Sequence, residues 1–168
     1  MSDTVNLQEA ILTECRKDKV PVTLNRSKPK DLAVIDTDGI DPAKIREAVD
    51  RGVFVYGYLN IGALEKQRSY YSSFKSLRLA KYDGWAGEYW IDPTDPRWQD
   101  HILEEAKKIK ATGAIGLYLD NTDIYWMCLE EFEGKTTMRE IPHSEDVYCS
   151  LVDMIEKITH DIGLIVMP

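Results

Sequence analysis

The chain is expected to be an α/β protein of the (β/α) TIM-barrel type, partial, with about five of the eight strands of a complete barrel. Three observations predict it. Short apolar runs end abruptly in carboxylate or amide side chains, as strands buried on both faces do. Each run is followed by sequence with helical spacing, an N-cap in front and a glycine behind. Finally, 168 residues provide one domain's worth of core, whereas a full eight-unit barrel usually takes about 250. Residues 1–168 are therefore expected to form a single barrel-type domain, incomplete at its C-terminal end.

The elements follow in order. Val20–Leu24 reads as a short strand or lead-in, and Asp31–Asp36 as the first clear strand. Asp41 offers an N-cap and Pro42 the first helical position, Ile45, Ala48 and Val49 form the apolar stripe, and Gly52 stops the helix. Val53–Leu59 is the next strand and ends in Asn60, Ile61 and Gly62. Glu88–Ile91 is shorter and ends in Asp92. Thr94 or Asp95 caps a helix that opens with Pro96, keeps Trp98, Ile102, Ala106 and Ile109 on one face, and stops at Gly113. Ala114–Leu119 is the strand that ends in Asp120. Glu130–Pro142 is charged, weakly patterned and expected to be a loop. Ser144 caps a helix with Val147, Leu151, Met154, Ile155 and Ile158 inward, Gly163 stops it, and Leu164–Met167 is a last strand. Strands alternating with helices argue a parallel sheet with right-handed crossovers.

Active sites of such sheets form where strands end at their carboxyl side, so the strand tips supply the candidate residues. Asp120, Asn121 and Asp123, with Tyr125 and Trp126 behind them, bring carboxylates, an amide and two rings to one tip. Carboxylates can act as acid, base or nucleophile, and rings can stack on a sugar face. Asp120 and Asn121 could instead simply cap the following helix. Tyr58 and Asn60 share strand parity and are candidate ligands for hydroxyl or amine groups, with Tyr58 as barrel filling the alternative. Asp36 and Asp92 end their strands, and helix capping is the competing role for both. Glu65 and Glu88 lie near strand ends, and Trp85 and Trp90 are stacking platforms or core rings. His101, His143 and His160 have no partner pattern and are expected at the surface.

A net charge of −8 and the lack of a basic patch argue against a nucleic-acid partner. No run is apolar enough to span a membrane, and Met1–Asn6 is too polar to begin a signal peptide. Cys15, Cys128 and Cys149 lack metal-site spacing and are expected to be reduced structural thiols.

Three segments carry a resemblance to a known family. They are Val55–Glu65 followed by Tyr70 and Tyr71, then Gly84–Asp92, then Gly116–Asp123. In that order and spacing they resemble the endo-α-1,4-polygalactosaminidase family of glycoside hydrolases, over roughly residues 31 to 168. The resemblance implies a secreted TIM-barrel enzyme that cuts internal α-1,4 links between galactosamine units by a retaining two-carboxylate mechanism. It makes Asp120 the nucleophile, while their places at or near strand ends make Asp36, Tyr58, Asn60, Glu65, Glu88, Trp90, Asp92, Asn121, Asp123 and Tyr125 the candidates for substrate binding. The acid/base glutamate is expected on a strand beyond Leu164–Pro168, and no residue of this chain fills its place by motif. No cofactor or metal is called for. The expected partner is a polysaccharide, a cationic aminosugar polymer drawn to the acidic cleft, and a second copy of the chain could complete the barrel.

Two alternatives stand beside this reading. A partial barrel could bind such a polymer without cleaving it. Leu32–Gly39, an apolar strand followed by Asp-x-Asp-Gly, is similar to the first motif of haloacid-dehalogenase-type phosphatases. There Asp36 would accept the phosphoryl group, Asp38 would be the acid/base, and Mg²⁺ would sit between them and Asp120. Ile40 stands where that family has Thr or Val, which counts against it.

Overall fold

A computed structural model describes residues 19–132 and 135–168. In chain order the elements are α1 (Val20–Arg26), β1 (Leu32–Ile35), α2 (Pro42–Asp50), β2 (Phe54–Asn60), β3 (Ala63–Glu65), α3 (Tyr71–Phe74), β4 (Arg78–Lys81), β5 (Glu88–Ile91), α4 (Pro96–Thr112), β6 (Gly116–Asp120), α5 (Ile124–Trp126), α6 (Ser144–Lys157) and β7 (Ile165–Met167). One wide π-type turn, Met127–Glu131, extends α5, and another, Ile158–Ile162, extends α6.

The chain forms two compact units. The first takes the residues up to Leu59, Glu104–Leu119 and Ile158–Pro168. It is built on a four-stranded sheet in the order β1-β2-β6-β7, with β1 parallel to β2 and β6 parallel to β7. Parallel neighbours need crossovers, which α2 supplies between β1 and β2 and α6 between β6 and β7. Every residue of β1 is buried, as expected for a strand covered on both faces. The Asp41 carboxylate caps α2 by accepting the Ala43 N–H at 2.9 Å, and Ile45 and Ala48 carry its buried stripe. Gly57 sets how closely α4 approaches β2, because a Cβ there would run into the Ile109 side chain. The face of β2 carrying Tyr58 is therefore the one turned away from α4.

The second unit takes Asn60–Leu103 and Asp120–Lys157. Its sheet is antiparallel, in the order β3-β5-β4, with Glu65 paired to Glu88 and Ala63 to Trp90. The Trp98 indole, fully buried, donates to the Ile61 carbonyl at 2.9 Å and ties the start of α4 to the segment after β2. Asn60 and Asp120, the last residues of β2 and β6, belong to this unit.

The α/β fold and parallel sheet expected from the sequence are present. Four details differ. Val20–Leu24 is helical, with Val20 and Leu24 buried one turn apart, a spacing that suits a helix. Glu88–Ile91 is not another parallel strand but the centre of the antiparallel sheet, flanked by β3 and β4. The segment expected to be a loop from Glu130 begins as the end of a helical turn. His101 is half-buried against Tyr70, Phe74 and Trp98, its ring centroid 4.1 Å from that of Tyr70, whereas His143 and His160 are exposed. Cys128 and Cys149 are free thiols, and burial with the Asp92 charge pushes Cys128 up to about 12. Cys15 lies outside the described residues. Among the described residues, no helix is long and apolar enough to cross a membrane.

Candidate active site

The site is built around the tip of β6. Leu117 and Leu119 are buried, and the strand ends at Asp120, whose side chain is half-buried. The Asp120 carbonyl accepts the Ile61 N–H at 3.1 Å, which fastens this tip to the segment after β2. Its carboxylate Oδ1 accepts the N–H of Asn121 at 3.0 Å. Asn121 sits in the left-handed region at φ 59°, where asparagine is among the few L-residues found with any frequency. The turn brings the Asn121 carbonyl against Gly62, where a Cβ would collide with it.

The Asn121 carboxamide is held at both ends. Its Nδ2 donates to Asn60 Oδ1 at 3.1 Å, and its Oδ1 accepts the Tyr82 hydroxyl at 3.0 Å. Asn60 Oδ1 also accepts the Ala63 N–H at 2.8 Å, so this oxygen serves the protein twice. Asn60 is thus part of the scaffold beneath Asp120.

Three carboxylates gather near this clamp. Glu65 and Glu88 face each other across β3 and β5, an unfavourable register for like charges. Glu65 is buried and engaged by Arg68 Nε on one oxygen and by Gln67 Nε2 on the other, at 3.2 Å. Among the described residues none donates a hydrogen bond to the Glu88 carboxyl. Burial, the Glu65 charge and the Asp120 charge push Glu88 from its ordinary 4.5 to about 7, with Arg68 pulling the other way. Glu88 therefore holds a proton for much of the time at neutrality. Burial raises Tyr82 as well, helped by the charges of Asp123, Asp120 and Glu88, so its phenol stays a donor.

The remaining candidates separate by burial and partner. Trp90 is only 4% exposed and stacks on Tyr82, centroids 4.4 Å apart, so it supports Tyr82 rather than offering a platform to a sugar. Asp92 is buried, accepts the Thr94 N–H at 3.0 Å and its hydroxyl at 2.6 Å, and pairs with Arg139 at 3.2 Å. It anchors loops, while Asp95 caps α4 by accepting the Arg97 N–H at 3.0 Å. Asp123 and Tyr125 are exposed, with the Tyr125 ring edge-on to Tyr148 at 5.5 Å. Trp85, 66% exposed, is the most open tryptophan. Asp36 and Tyr58 belong to the first unit. There Asp36 is buried and closes its own loop by accepting the Asp38 N–H at 3.0 Å. Sequence reasoning missed Tyr82 and Arg68. Nothing marks Tyr82 among nine tyrosines until β4 is known to end one residue before it.

The sequence profile of glycoside hydrolase family GH114 matches residues 10–167. The chain belongs to that family. This GH114 chain is 31% identical over 108 residues to an uncharacterized protein of Deinococcus radiodurans, covering 59% of this chain and 35% of that one. Among solved structures it is similar to the glycoside hydrolase domain of PelA from Pseudomonas aeruginosa, at 20% identity and a TM-score of 0.65, covering 81% of this chain and 51% of that chain. It is likewise similar to Ega3 of Aspergillus fumigatus in complex with galactosamine, at 20% identity and a TM-score of 0.66, covering 80% and 50%. These likenesses establish a TIM-barrel-like fold, and the chain spans about half the length of the solved structures it resembles. Membership of GH114 displaces the phosphatase alternative.

Proposed function

We propose that this GH114 chain works as a glycosidase on α-1,4-linked galactosamine polymers, with Asp120 as the nucleophile of a retaining reaction. Asp120 attacks the anomeric carbon and forms a glycosyl ester. The leaving oxygen takes its proton from a second carboxyl, the glutamate that the family resemblance puts on a later strand. The observation that carries the substrate choice is the charge imbalance around Glu88. Burial and the charges of Glu65 and Asp120 act on Glu88, Arg68 is the one cation among the described residues that opposes them, and Glu88 responds by keeping its proton. An ammonium group would offset that negative charge, and each unit of a de-N-acetylated galactosaminan carries one. The galactosamine bound to Ega3 supports the same class of ligand.

The sign of the pH effect follows. Glu88 is mainly neutral below about pH 7, and a bound ammonium favours its carboxylate, so binding draws the proton off. Galactosamine oligomers are expected to bind more tightly as pH rises from about 5 to about 7, while the amine itself remains charged. Calorimetry near pH 6 in two buffers of different ionisation heat should show proton release on binding. Glu88→Gln should abolish that release, and N-acetylated oligomers should not produce it. Proton release that persists in Glu88→Gln would remove Glu88 from amine recognition.

A further inference from the structure

We propose that Tyr82 is a positioning residue for Asp120, acting through the side chain of Asn121; the proposal rests on the reading of Asp120 as nucleophile. The argument starts with the backbone. Asn121 donates its N–H to Asp120 Oδ1 and continues the chain in a left-handed conformation, which an L-residue keeps only when its surroundings insist. A carboxamide held at one end can still swing, but this one is held at both ends. Asn60 Oδ1 takes the amide nitrogen and the Tyr82 hydroxyl gives its proton to the amide oxygen. Asn121 Oδ1 can only accept, so the direction of the Tyr82 bond is fixed.

Tyr82 is itself well placed for this role. It follows β4, its backbone N–H donates to the Glu88 carbonyl at 3.0 Å, and its ring stacks on Trp90 with planes 23° apart. Trp90 in turn is buried on the central strand of the antiparallel sheet. Burial, helped by the neighbouring carboxylates, pushes the phenol further from ionising, so it remains a donor at neutral pH. A rigid sheet thereby sets the direction of one N–H that orients the nucleophile, and an attacking oxygen must be aimed closely for its reaction to be fast.

The test uses the full chain and fluoride release from an α-galactosaminyl fluoride, a donor whose leaving group needs no proton. Tyr82→Phe keeps the ring on Trp90 and removes only the hydroxyl. It should lower kcat about tenfold, leave KM within about twofold and leave the melting temperature within a few degrees. Asn121→Gly keeps access to the left-handed conformation without the side chain and should lower kcat at least as much. Because Tyr82 acts through Asn121, the double variant should be no slower than Asn121→Gly alone. Wild-type kcat in Tyr82→Phe, a change confined to KM, or losses that multiply in the double variant would overturn the role of Tyr82. Absence of fluoride release from the folded wild-type chain would instead overturn the reading of Asp120 as nucleophile beneath it.

Discussion

Asp120→Asn should reduce fluoride release from an α-galactosaminyl fluoride by on the order of 10³-fold or more, with the folding transition almost unmoved. The argument is geometric. Asp120 sits at the tip of the buried strand β6, and the carboxamide of asparagine can still accept the Asn121 N–H that its Oδ1 accepts now. The substitution therefore removes the nucleophilic charge and leaves the scaffold in place. It also takes away one of the charges that press on Glu88, so Glu88 should titrate lower in the variant. A loss of less than about tenfold would mean that Asp120 does not form the ester, whatever the substrate.

The second large effect is expected where no side chain exists. Gly62→Ala puts a Cβ into the backbone carbonyl of Asn121, with the carbonyl carbon and Cβ of that residue also close. A flexible side-chain tip could move aside, but this carbonyl belongs to a left-handed turn, and its residue is bonded to Asn60 and Tyr82. The strain should lower stability by about 3 kcal/mol and the melting temperature by about 6–12 °C. Any residual fold should be a poor catalyst, because the turn that moves carries the N–H facing Asp120. Thermal unfolding followed by circular dichroism checks the first part, and an unchanged melting temperature would show that the Asn121 turn yields to the added methyl at no cost.

What was legible in the sequence follows from which physical signals are local. The parallel strands were legible because each is a buried apolar run with a polar tip, and the helices because Asp41, Asp95 and the glycines after them mark their ends. Asp120 stood out for the same reason. The antiparallel sheet was not legible. Ala63–Glu65 is three residues long and continues the apolar run of β2 through Ile61 and Gly62, and Arg78–Lys81 carries a charge at each end. Such strands are defined by their partner, not by their own pattern. Missing them hid two relations that exist only across that sheet, the Glu65–Glu88 pairing and the placement of Tyr82. Asp92 and Trp90 carried two readings each in sequence. Burial and the Thr94, Arg139 and Tyr82 contacts place them in the support of the site.

The most direct measurement is to ask which side chain becomes glycosylated. A galactosaminyl fluoride needs no acid to expel its leaving group, so it tests the attacking carboxylate separately from the proton donor. The chain should be incubated with this donor, quenched in acid, digested and weighed by mass spectrometry. The expected result is one galactosaminyl unit esterified to the peptide containing Asp120, and no adduct in Asp120→Asn. Fluoride release with no adduct at any time, or an adduct on another carboxylate, would contradict the assignment of Asp120 as the nucleophile.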